Sequence, residues 1–247
     1  MLNIAGAFVC IVVSLLWYMP GIRLQGDDQA LQKKDYLRTA LLYGLCIGCG
    51  LIIAAEMTWD IVVGVPGEGE LGKSITADVF RAALMEEAFK FLGVFLAIRS
   101  IRPKRKIDYM MIAGMIGMVY GIVEKIAAGN MISILVGIVL PIHLLWQLNQ
   151  GGHYFEYKKA KLKGDISRAR KELFITLAVP FAFHAFWDSA LDVCGYLIGE
   201  KLGTWADISG GLLLLVLVVL VIVYMVKTLK KMRATARNSD TLENLAA

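Results

Sequence analysis

Glu86, Glu87 and Lys90 lie within an apolar run covering about 77–98, where side chains of this kind are costly unless they have partners. Each charge at a bilayer centre costs roughly 2.5–3.5 kcal/mol, so three together cost on the order of 8 kcal/mol before any pairing. On a helix, Lys90 stands four residues after Glu86 and three after Glu87, and it can reach back to either carboxylate. One acid is left to be met from elsewhere. A carboxylate crowded by another resists full ionisation and can hold or take a proton, which suits activation of a water molecule.

Other polar side chains inside apolar runs are the candidate partners. Glu124 follows Tyr120 by one turn and comes after Gly114, Gly117 and Gly121, a spacing that lets a neighbouring helix approach the backbone closely. The competing reading is a packing groove whose Glu has moved out to the headgroups. His143 follows Pro141, with Gln147 four residues on along the same face. His184 and Asp188 stand at i and i+4, so Asp188 can set the imidazole's tautomer and orientation, as a supporting carboxylate does for a metal-bound or catalytic His. Asp192 continues that face but is expected near the membrane surface, as a cap or solvated group. His153 is read as an ordinary polar residue. His143, His184 and Glu124 together match the ligand set of a hydrolytic zinc site with one position left for water. No Ser-His-Asp set competes. Cys10, Cys46, Cys49 and Cys194 lie in or beside apolar runs and suggest no disulfide framework. Cys46-Ile-Gly-Cys49 is read as small-residue helix packing.

These residues need helices to hold them. The chain of 247 residues is 57% hydrophobic with mean hydropathy +0.62, above the half-apolar share of soluble domains. The excess comes in runs of bilayer-spanning length. The expected architecture is all-α, a polytopic membrane bundle of about seven spans at 2–20, 36–55, 77–98, 107–128, 131–148, 172–191 and 208–226. The first span has no basic residue ahead of it and no cleavage site after it, and is expected to remain as an anchor. A membrane domain thus covers 1–226 and a basic tail 227–247. Lys and Arg gather at 23–38, at 99–106, at 158–171 and in the tail, in strict alternation with the other loops. The positive-inside rule then places the N-terminus outside and the C-terminus in the cytoplasm. The net charge of +5 is a topology signal, and a nucleic-acid partner is excluded because no basic and aromatic patch stands outside the apolar runs. On this topology Glu86 and Glu87 lie about 15 Å below the outer surface at 1.5 Å per residue. His143 and His184 fall at similar depth, and Glu124 and Asp188 somewhat nearer the surface. One shared site in the outer half is expected. The loops 150–171 and 59–76 are the candidates for substrate contact.

Composition and spacing alone leave two chemistries level. Hydrolysis of a peptide bond within the membrane fits the groups, and so does a proton or ion carrier, since intramembrane Glu and His also serve as relays. No inverted repeat of the kind typical of carriers is visible. A non-catalytic seven-helix scaffold is the remaining alternative.

The ordered set Glu86-Glu87-x-x-Lys90, Tyr120-x-x-x-Glu124, His143, and His184-x-x-x-Asp188 resembles the PrsW family, within the CAAX-protease-like group of membrane proteins. The resemblance covers about 77–192. It departs at Tyr120, where the family commonly has Phe, but the aromatic ring is kept. What it implies is an intramembrane protease of the cell membrane making the first, outward-side cut in a single-pass membrane protein. In the best-known relatives that substrate is an anti-sigma factor, cut in regulated intramembrane proteolysis. Glu86 and Glu87 fall on the family's essential glutamate pair and His184 on its essential late histidine, while Glu124 and His143 match intermediate positions. The expected division of roles makes Glu86 the base for a water held among His143, His184 and a zinc ion, if one is bound. Glu87 and Lys90 tune it, and Asp188 orients His184.

Overall fold

A computed structural model describes residues 33–65, 67, 70–128, 142–199, 203–237 and 241–242. The expected first span and most of the fifth, 131–141, lie outside the described residues. Six helices follow in order: α1 (33–62), α2 (71–101), α3 (Lys106–Ala128), α4 (Ile142–Leu162), α5 (Ile166–Gly199) and α6 (Thr204–Arg237). The segments Thr39–Val62, Lys106–Glu124, Ile166–Ile198 and Thr204–Arg237 are long and apolar enough to cross a bilayer. The molecule is an all-α, multi-spanning membrane bundle.

Its centre is α3. Met110, Met111, Ile112 and Ile116 are completely buried there, between Tyr43 of α1 and Val94 and Ala97 of α2 on one side and Leu144, Leu145 and Leu148 of α4 on the other. Glycines set how closely the helices approach. A Cβ on Gly93 would stand 2.7 Å from the Tyr43 carbonyl oxygen, and one on Gly151 would stand 2.3 Å from that of Tyr109. α5 and α6 close the far side through Trp146, Trp187 and Leu217, while Leu212, Leu215, Val219 and Val223 of α6 face outward, as lipid-exposed side chains do.

Three expected boundaries are corrected by this packing. The loop left between the expected spans 36–55 and 77–98 is mostly helix: α1 runs on to Val62 and α2 starts at Leu71. Asp60, near the end of α1, and Arg81 of α2 pair at 2.8 Å and tie the two helices together. The hydrophilic stretch 150–171, expected as a substrate-facing loop, is helix interrupted by a turn at Gly164, where φ is +74°. Its lysines occupy outer faces, while Gly151, Gly152, Tyr154 and Phe155 are buried. The basic tail expected from Lys227 is the last part of α6, with Thr228 and Met232 buried.

Pro180 sits inside α5 and cannot donate to the carbonyl of Thr176. The buried Gln150 amide donates to that oxygen at 3.1 Å, so the orphaned group is satisfied from the neighbouring helix. α2 also has wide, π-helical turns over Asp78–Leu84, directly before the Glu-Glu pair. Such turns recur at functional sites.

Candidate functional site

Lys90 is fully buried, and Glu86 and Glu87 are nearly so. The Lys90 ammonium donates to Glu87 Oε1 at 2.8 Å and to Glu86 Oε2 at 3.1 Å, so it reaches both acids rather than one. It also stands 3.1 Å from His143 Nδ1 and 3.8 Å from the centre of the Tyr120 ring, a cation–π contact in a site without bulk water. The helix spacing that allowed a local pair has become the middle of a wider cluster.

Two imidazoles complete it from α4 and α5. His184 Nδ1 lies 2.9 Å from Glu87 Oε1, and its Nε2 lies 3.0 Å from Asp188 Oδ2 and 3.6 Å from Glu86 Oε2. His143 turns its Nε2 to Glu124 Oε2 at 2.8 Å. The two rings are 5.1 Å apart between centroids, and Trp146 lies against both at 5.4 and 5.2 Å. Gln147 donates to Glu87 Oε2 at 2.8 Å. Both oxygens of Glu87 are therefore engaged, one by Lys90 and His184 and the other by Gln147.

Close helix contact makes this geometry available. A Cβ on Gly117 would fall 2.4 Å from the His143 carbonyl oxygen and 2.6 Å from Gln147 Cγ, and one on Gly121 would meet the His143 ring at 3.4 Å. The glycines ahead of Glu124 thus form the packing groove the sequence suggested. Glu124 uses it to reach an imidazole.

All seven side chains singled out in the sequence (Glu86, Glu87, Lys90, Glu124, His143, His184 and Asp188) meet in one cluster. Glu86, His143 and His184 each offer a ligand atom, all within 4.8 Å of one another. Glu124 stands behind His143, as Asp188 stands behind His184. Two imidazoles and a carboxylate, each imidazole backed by a further carboxylate, form a donor set suited to a catalytic divalent ion. The cluster fits a metal by donor chemistry, and it fits water activation by its acids.

Several members were not foreseen. Glu56 of α1 and Tyr120 of α3 both stand close to Glu86. The signal for Glu56 was its place four residues after the buried Ile52, which continues the inward face of α1. Asp192 is not simply solvated: the Ser74 hydroxyl donates to it, and Asp78 approaches it from α2. Trp146 carried no sequence signal beyond being next to Gln147. His153 pairs with Glu172 at 2.8 Å, away from the cluster. Among the described residues Cys46, Cys49 and Cys194 are free thiols.

Compared with known proteins, residues 32–226 match the model of the PrsW family, described as intramembrane metalloproteases. No curated protein matches the chain, and no solved structure does.

Proposed function

The chain belongs to the PrsW family of intramembrane metalloproteases, and from that premise we propose that it cleaves a single-pass membrane protein near the outer face of the cell membrane. The observation that carries this reading is the gathering of Glu86, His143 and His184 from three helices, with a carboxylate behind each imidazole. In a metal-free centre Glu86 takes the proton of the attacking water and returns it to the leaving amine. Glu87, engaged by Lys90, His184 and Gln147, is the fixed counter-charge of Lys90. Asp188 and Glu124 hold the two imidazoles in orientation. Trp146 packs on both rings and helps to exclude bulk water.

A metal would be held by Glu86, His143 and His184, and zinc is the ion whose ligand preferences agree best with that set. When bound it would polarise the scissile carbonyl and lower the pKa of water. An anti-sigma factor is the substrate that family membership favours. The placement of the centre toward the outer face is supported by the basic residues 99–106, which flank the opposite end of α2.

The test is co-expression with tagged single-pass membrane proteins of the same cell, comparing wild type with Glu86→Gln. Loss of a specific fragment with the variant is expected. A fragment that persists undiminished removes Glu86 from the chemistry. One observation favours a second reading: the contacts Asp188–His184–Glu87–Lys90–His143–Glu124 are continuous, as a proton relay requires. Proton flux in liposomes that is abolished by Glu124→Gln, with no fragment from any substrate, would move the assignment to a carrier.

A further inference from the structure

A cavity of about 430 Å³ opens at the other end of α2, where the apolar part of that helix gives way to the link into α3. Its volume is within the range of small-ligand sites. Arg99, Arg102 and Lys158 line it together with Phe95, Tyr109 and Leu242. The three cations come from α2, from the link after it and from α4, so tertiary packing brings them together rather than a local charge run. Among the described residues none of the three has an acidic partner, whereas several charges close by are paired. Lys106 and Arg168 share Glu156, Arg105 holds Asp108 at 2.7 Å, and His153 holds Glu172. Burial and the neighbouring Lys161 and Arg99 cations draw the Lys158 ammonium below its ordinary range, as expected where positive charge is crowded without a counter-ion.

Two further features mark the place as built. Arg102 has φ +57°, a left-handed conformation that glycine adopts without strain and a long side chain rarely does. Residues 241–242 return to this point: Thr241 bridges to Arg105, and Leu242 donates its amide to the Lys104 carbonyl at 2.9 Å. This strap seats the Leu242 side chain as an apolar wall. A rim of cations around apolar and tyrosine walls, beside the start of the membrane-spanning α3, matches the boundary between a charged headgroup and an acyl chain.

We propose that this cavity binds the phosphate of an acidic phospholipid, with Arg99, Arg102 and Lys158 on the phosphate and Phe95 and Leu242 against the start of the acyl chains. Guanidinium groups offer paired donors to phosphate oxygens, and the ammonium supplies a third charge. The site is about 20 Å along α2 from Glu86, at 1.5 Å per residue, and does not depend on the reading of the Glu–His centre.

The experiment uses the purified, delipidated full chain in neutral detergent and follows thermal unfolding. Dioctanoyl-phosphatidylglycerol is expected to raise Tm by several degrees, and dioctanoyl-phosphatidylcholine at the same concentration to leave it unchanged. Arg99→Gln with Lys158→Gln is expected to remove most of that rise. Arg102→Gly relieves the backbone while deleting a cation, so its lipid-free Tm is expected to hold while the lipid response falls. Lys163→Gln with Arg170→Gln, which neutralises exposed basic residues outside the cavity, is expected to keep the full response. Inorganic phosphate separates the sources: a rise equal to that from the lipid would keep the phosphate site and overturn the phospholipid assignment. Equal responses to the two lipids would overturn the proposal. So would a full response in the Arg99/Lys158 variant, or an equal loss in the Lys163/Arg170 control.

Discussion

Lys90 and Arg99 stand on the same helix, about 14 Å apart at 1.5 Å per residue, in opposite circumstances. Lys90 is wholly buried, and two carboxylates and an imidazole surround its ammonium within 3.1 Å. Arg99 is exposed beside Lys158 and Arg102, and among the described residues no acid answers any of them. Inside the bilayer water is absent, so a charge persists only when the protein supplies its partners. At the interface water tolerates an unpaired cation, which stays available to a ligand. The pairing at Lys90 is therefore architecture and chemistry together, while the lack of it at Arg99 is a feature of recognition.

The largest effect is expected at the buried end. Glu86→Gln and His184→Ala each should lower cleavage of a co-expressed substrate by about 10²–10⁴-fold, the scale of positioned acid–base catalysis. Arg99→Gln should leave the cleavage chemistry intact, and an equal loss there would dissolve the contrast. Next in size is Lys90→Met, which strands two buried carboxylates and should destabilise by about 3–5 kcal/mol, measured by reversible unfolding in mixed micelles. Adding Glu87→Gln to that variant should recover part of the loss, and a double variant no more stable than the single would mean that the pair is not coupled.

Asp188→Asn tests the metal side of the same centre. Equilibrium dialysis should show zinc held by the wild type and bound about 10–100-fold more weakly by the variant, the usual effect of losing a carboxylate behind a ligating His. Wild type that retains no metal after dialysis would leave water activation to the acids alone. Gly117→Ala drives a methyl group into the His143 carbonyl and Gln147, at a cost of about 1–3 kcal/mol. Unchanged unfolding would show that α3 and α4 are less tightly joined than the structure has them. The smallest change is expected at the basic end, where Arg99→Gln should alter lipid-free stability by no more than about 0.5 kcal/mol.

The groups of the candidate site are legible in the sequence because most of their relationships are local. Glu86, Glu87 and Lys90 lie on successive turns of one helix, and so do His184 and Asp188, and the repeat of an α-helix is known before any packing is. Glu56 falls just past the apolar run 36–55, where the sequence reads as a loop, whereas α1 continues to Val62 and Asp60 pairs with Arg81 beyond it. The stretch 150–171 reads as a loop for a related reason. Its lysines suggest solvent, but Gly151 and Phe155 bury the opposite face of the same helix.

From the order of residues alone came the membrane class, the helical spacing of each motif and the family resemblance, because apolar run length and i, i+4 placement are properties of neighbouring residues. Only the packed bundle decided that Glu86 rather than Glu124 joins the two imidazoles in one donor set, that Glu87 is held on both oxygens, and that Arg99, Arg102 and Lys158 share a cavity. Those outcomes depend on how closely helices approach at Gly93, Gly117 and Gly151, and the distance between two helices is written in no single segment of either.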